Sequence, residues 1–343
     1  MNVPRWRLTV AVSGSVLALA LWAIDARAHH SSAMYDDHQT VTVTGTVTRY
    51  VWANPHVYIY LVQQVGAQKI EWEVEGGPPS ILRRVGLSET TLHAGDSITV
   101  TGKPAKNPAR KALLPTSIKR GEATVFDRKG EVTQLTSYNG SASGSQRGLE
   151  GVWVTLLDLK VEEQLDEDKL ALTPKGRTAH KHFDERTMHP GARCVPYSAP
   201  VFMVTPDLKR IRRNDKVVLI DGEFDAAQRT IHMDTERHDG APVSNQGHSI
   251  GHWEESTLVI DTRQFSPSPV GNAYGVPSGA GKHLIERLTP AADGKSLTYH
   301  FELSDPEYIA TTVKGDVRWI FSPTATYAPD KCDPENARHF TQQ

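Results

Sequence analysis

The chain has 343 residues, 38% of them hydrophobic and 23% charged, enough for about two domains with sizeable cores. Its formal net charge of −2 supplies no basic excess, which argues against nucleic acid or an anionic membrane surface as partner. Amphipathic helical stretches are scarce, whereas Val/Thr/Ile alternation and Gly/Pro punctuation recur, so the expected class is mainly all-β.

The N-terminus sets the compartment. Arg5 and Arg7 form a positive start, residues 8–24 an apolar core interrupted by Ser13, Gly14 and Ser15, and Ala26-Arg27-Ala28 a small-x-small cleavage site. Residues 1–28 therefore read as a signal peptide, leaving a periplasmic or secreted protein that begins at His29 and keeps no membrane span.

Cleavage there would give His29 an α-amino group beside its imidazole, a chelating pair that suits Cu(II). His30 adds a second imidazole, and His56 is a third ligand if the N-terminal arm folds back. Copper is the cofactor this arrangement suggests.

A first domain is expected over 38–121. Alternation marks strands at 40–50, 57–62 and 70–74, a proline-led helix at 79–85, and strands at 97–101 and 113–118. Three strands, a helix and two strands is the order of a five-stranded OB-like barrel. Trp52, Tyr58, Tyr60 and Trp72 could stack on bases, but export and the missing basic excess argue against that use.

Pattern lapses over 122–150, where 138–145 reads YNGSASGS, a linker by composition. Hydrophobic alternation restarts at Val152 and Trp153, and a second domain is expected over 151–343. A short helical segment follows Leu172-Thr173-Pro174 and carries His180 and His182, which two-residue spacing places on different faces. Strands recur at 152–159, 217–220, 230–233, 258–260, 283–288, 297–303 and 317–321, separated by Asp-Gly turns. An antiparallel meander, curled into a barrel or half-barrel, is the economical arrangement.

Two cysteines, Cys194 and Cys332, with no CxxC pairing in an exported chain, favour one long-range disulfide; the alternative is two buried thiols. The stretch 247–262, GHSIGHWEESTLVIDT, sets histidines and carboxylates around an apolar strand. If the 258–260 and 283–288 strands are neighbours, His248, Trp253, Glu254, His283, Glu286 and Arg287 are the candidate ligand site, with a buried Glu286 and Arg287 ion pair as the structural alternative.

The mature start AHHSS, then VTGTVTRYVWANPHVYIYL with Asn54-Pro55-His56, WEVEGGPPSILRRVGL and LHAGDSITVTGKPAKN, resembles an uncharacterised family of secreted bacterial proteins classed as a domain of unknown function. The second domain resembles a region that accompanies it, through LTPKG, Cys194-Val195-Pro196, Ala199-Pro200 and the GHSIGHWEESTLVIDT stretch. The resemblance implies secretion and a two-domain build and carries no activity. No GxSxG, HExxH, phosphate-binding loop or dinucleotide fingerprint is present. The expectation is thus an exported, non-catalytic binding or accessory protein for a small molecule or metal. The alternatives are a periplasmic hydrolase with a His/carboxylate site and an interaction module that binds other envelope proteins.

Overall fold

The computed structural model describes residues 34–129, 148–155, 165, 169–329 and 331–341. The expected signal segment, His29, His30, residues 130–147 of the expected linker and the 156–159 end of an expected strand lie outside the described residues.

The first domain comprises β1 (Val41–Val51), β2 (Tyr58–Val65), β3 (Gln68–Glu75), helix α1 (Pro79–Arg84), β4 (Ser97–Pro104), β5 (Ala112–Arg120) and β6 (Ala123–Asp127). In β1, Val43 and Val47 point into the core, while Thr42 and Thr44 face outward and bond Thr101 and Thr99 across the strand at 3.0 and 2.9 Å. This is the period-two pattern of a strand with one buried face. Sheet order is β3-β2-β1-β4-β5-β6, and a parallel β3–β5 pairing closes the five-stranded barrel. At the β4 bulge an added Cβ on Gly102 would lie 2.4 Å from the Leu114 carbonyl oxygen, so the close approach of the two backbones requires glycine. The β6 strand extends this sheet past Gly121, into the stretch where hydrophobic pattern lapses.

The second domain comprises β7 (Gly151–Thr155), α2 (Pro174–Lys181), α3 (Glu185–Met188), α4 (Val201–Val204), β8 (Leu208–Arg213), β9 (Val217–Gly222), β10 (Gln228–His232), β11 (His248–Glu254), β12 (Thr257–Arg263), the hairpin β13 (Ser268–Ala273) and β14 (Val276–Ser278), β15 (His283–Pro290), β16 (Ser296–Ser304), β17 (Val313–Phe321) and α5 (Pro334–Thr341). Nine strands close a barrel in the order β10-β11-β12-β15-β16-β17-β7-β8-β9. The expected meander is therefore a complete barrel. Strand direction cannot alternate all the way round a ring with an odd number of strands, so one neighbouring pair must be parallel. That pair is β10–β11, and the chain runs back between them through the crossover 233–247.

The barrel interior is filled. Trp153, Ile220, Ile260, Leu284, Leu288, Phe301 and Trp319 are all buried there. Fully buried Arg229 donates to Glu286 Oε1 at 2.7 Å and to Thr262 Oγ1 at 2.7 Å, while Tyr299 donates its hydroxyl to Glu286 Oε1 at 2.7 Å. Such a pair is tolerable only because each polar atom is met by another.

Cys194 and Cys332 form a disulfide, with Cα atoms 5.6 Å apart. It anchors the chain just before α5, which crosses to the first domain. There His339 Nε2 lies 2.8 Å from Glu73 Oε2 and the ring meets Tyr58 edge-on at 4.9 Å. From the other side, Arg83 and Arg84 at the end of α1 donate to the carbonyls of Ala328 and Pro206 in the second domain. Among the described residues no helix is long and apolar enough to cross a membrane.

Candidate functional site

The Asn54-Pro55-His56 turn lies where the two domains meet. Its Asn54–Pro55 bond is cis. Asn336 of α5 donates to the carbonyls of Ala53 at 3.1 Å and His56 at 2.8 Å, and Asp333 N donates to Asn54 O at 3.3 Å, so the turn is held from the second domain. His56 Nδ1 is 2.6 Å from Glu75 Oε1 at the end of β3, and buried Tyr35 donates to Glu75 Oε2 at 2.8 Å. A carboxylate on one ring nitrogen fixes both the tautomer and the orientation of an imidazole.

The opposite wall comes from the 189–197 segment beside the disulfide. His189 is buried; Gly191 N donates to its Nδ1 at 3.0 Å, which leaves Nε2 as donor to the Tyr197 hydroxyl oxygen at 3.0 Å. Burial, with a smaller contribution from the His56 charge, pushes the His189 pKa down to about 4, so the ring is neutral near pH 7. Tyr197 stacks on Phe224 at 6.3 Å, and Gln246 holds the Tyr197 carbonyl at 2.7 Å. Glu185 on α3 has its pKa raised by burial, against a Tyr274 hydrogen bond, with Glu75 adding to the rise. Burial likewise brings Glu223, which accepts from Ala328 N at 2.8 Å, up to about 7.

Between these walls is a cleft of about 370 Å³, lined on the first-domain side by His56, Ser80 and Ile81 and on the second by Tyr197, Asp207 and Phe224. The Ser80 hydroxyl is buried and has no hydrogen-bond partner among the described residues. Size, aromatic walls and a few convergent polar groups suit a small organic ligand.

The residues singled out in the second domain divide differently. On β15, Leu284, Glu286 and Leu288 point into the barrel while His283 and Arg287 point out, so Glu286 and Arg287 cannot share a site. Glu286 is the interior partner of Arg229. Outside, Arg287 donates to Glu254 Oε2 at 2.6 Å; Trp253, paired with interior Leu258 on the inward side of β11, is exposed at the barrel rim with Arg213 5.5 Å from its ring. His248 and His283 do come together: His283 Nε2 is 3.1 Å from Asp261 Oδ1, His238 Nε2 is 3.1 Å from the same oxygen, and His238 Nδ1 is 3.0 Å from His248 Nδ1. His180 and His182 face separate carbonyls, those of Gly275 at 3.2 Å and Thr178 at 2.7 Å.

Tyr35, Glu75, Glu185, His189, Tyr197 and His238 stand in no local pattern that marks them in the sequence. The Cys194-Val195-Pro196 and Asn54-Pro55-His56 motifs are the signal that could have found the first five. His56 of the Asn54-Pro55-His56 motif lines this cleft and the Cys194-Val195-Pro196 motif directly precedes Tyr197, which also lines it, whereas no periodicity links residues so far apart in the chain.

Residues 17–114 match a family of unknown function (DUF6152). The match covers under a third of the chain and contains His56, Ser80 and Ile81 of the cleft, while Arg128, which also lines it, falls outside the match. No curated protein matches the chain.

Proposed function

We propose that this is an exported binding protein that holds a small organic molecule in the cleft between its barrels. The observation that carries the reading is the composite wall: an oriented His56–Glu75–Tyr35 group from one domain faces a Tyr197–Phe224 stack from the other. A flat apolar portion of the ligand would lie on the aromatic pair, and a hydrogen-bonding end would reach His56 and Ser80. Large apolar side chains such as Trp153, Phe301 and Trp319 occupy the interior of the second barrel, which favours the space between the domains for the ligand. Export rests on the signal-like segment 1–28. The terminal copper chelate at His29 and His30 remains a separate proposal, in which His56 would have to serve while its Nδ1 is held by Glu75.

The test is native mass spectrometry of the processed protein after incubation with a small-molecule extract of the periplasm. A discrete added mass on the wild type, absent from Phe224→Ala and His56→Ala, is the expected result. No added mass, or the same mass on both variants, would overturn the reading. Recovery of the ligand chemically unchanged separates binding from hydrolysis, which the His56–Glu75 pair could also serve.

A further inference from the structure

The parallel seam of the second barrel gathers four histidines and one aspartate on its outer surface. Side chains alternate across each strand, so Ser249 of β11 and Thr262 of β12 point inward to Arg229, and their neighbours His248 and Asp261 must point out. His232 ends β10, and its ring stacks on that of His248 at 4.9 Å. His238 comes from the crossover that the odd strand count imposes.

The hydrogen-bond directions here are determined by chemistry. Asp261 Oδ1 can only accept, so neutral His238 must carry its proton on Nε2, 3.1 Å away, and present a lone pair on Nδ1. That lone pair faces His248 Nδ1 at 3.0 Å. Without an ion the two nitrogens share one proton. Two imidazole nitrogens each about 2.05 Å from one ion, at a right angle, stand about 2.9 Å apart, so the observed spacing is also that of two ligands to a single metal. A metal-bound histidine characteristically gives its other N–H to a carboxylate, which is the relation of His238 to Asp261.

We propose that His238 and His248 bind a divalent ion of the imidazole-preferring class, Cu(II), Ni(II) or Zn(II), through their Nδ1 atoms, with Asp261 orienting His238. Among the described residues no three such side chains are already gathered round one point. The third ligand is therefore His232, brought in by a turn of its stacked ring. His232 and His248 also line a hollow of about 490 Å³ under the crossover, which leaves room for water on the ion. His283 shares Asp261 and keeps that carboxylate in place.

The test uses the processed full chain with His29→Ala and His30→Ala, so that the terminal imidazoles contribute nothing. Titration with copper(II) chloride and with zinc(II) chloride is followed by calorimetry, and the copper form by electron paramagnetic resonance. One equivalent should bind, with coupling to two or three nitrogens. His238→Ala and His248→Ala should each weaken binding at least ~100-fold, and Asp261→Asn, which keeps the side-chain shape, by about 10- to 100-fold. His252→Ala, an exposed histidine on the same strand, should change nothing. Absence of stoichiometric binding to either metal would overturn the proposal. So would undiminished affinity in Asp261→Asn, whatever the alanine variants do to the fold.

Discussion

At the scale of single residues, the most consequential group is buried Arg229. Its guanidinium is matched to Glu286, Ser249 and Thr262, and Glu286 is matched in turn to Tyr299. Removing one partner strands the other charge in the apolar interior, so Glu286→Ala should cost about 3–5 kcal/mol in urea unfolding, whereas replacing both by apolar residues of similar volume should cost far less. Equal losses in the single and paired variants would contradict this. His189 gives a second residue-level expectation. Its folded pKa, about 4, lies below the ordinary 6.5, so between these values the unfolded chain binds a proton that the folded chain refuses. Stability from this group is complete above pH 6.5 and is lost on acidification toward pH 4, by up to about 3 kcal/mol. His189→Gln should therefore show a shallower loss over that window, and parallel curves for variant and wild type would count against the assignment. Residue identity alone also explains one misreading. Glu286 and Arg287 look like a paired site because they are adjacent, but adjacency in a strand sends them to opposite faces.

Among elements, β1, β4 and β16 were legible because apolar residues recur at every second position, and β12 because Leu258-Val259-Ile260 is a continuous apolar run. Two strands whose inward places are polar or small were not. In β8, Lys209 is buried against Asp207 and the carbonyl of Thr205, so LKRIRR lacks an apolar stripe. In β11 the inward places are taken by Ser249 and Gly251, and the strand reads as a loop before β12. Long-range pairing is the other gap, since nothing in the local pattern of α5 says that it docks on the first barrel. The disulfide is the element that enforces this docking. Cys194 and Cys332 are 138 residues apart, and the chain-entropy model gives about 4–5 kcal/mol for a loop of that size. Cys194→Ser with Cys332→Ser should lower stability toward that extent and raise amide exchange in α5 and the 54–56 turn ahead of the barrel strands. Unchanged protection in those two segments would show that packing alone secures the helix.

For the whole molecule, two barrels with odd strand counts each close through one parallel pair, and both proposed sites lie where that closure disturbs the regular pattern. In the first, β3 leads through Glu75 and the Gly76-Gly77-Pro78 turn to α1, which floors the cleft. In the second, the crossover between β10 and β11 brings His238 to His248. We propose the shared cleft, assembled from both domains, as the ligand site. Crystals of the processed protein soaked with a library of small aromatic fragments test it most directly. Fragment density should concentrate against the Tyr197–Phe224 pair and in contact with His56, and be lost in Phe224→Ala crystals. Fragments that gather on the outer faces of either barrel and leave this cleft unvisited would contradict it.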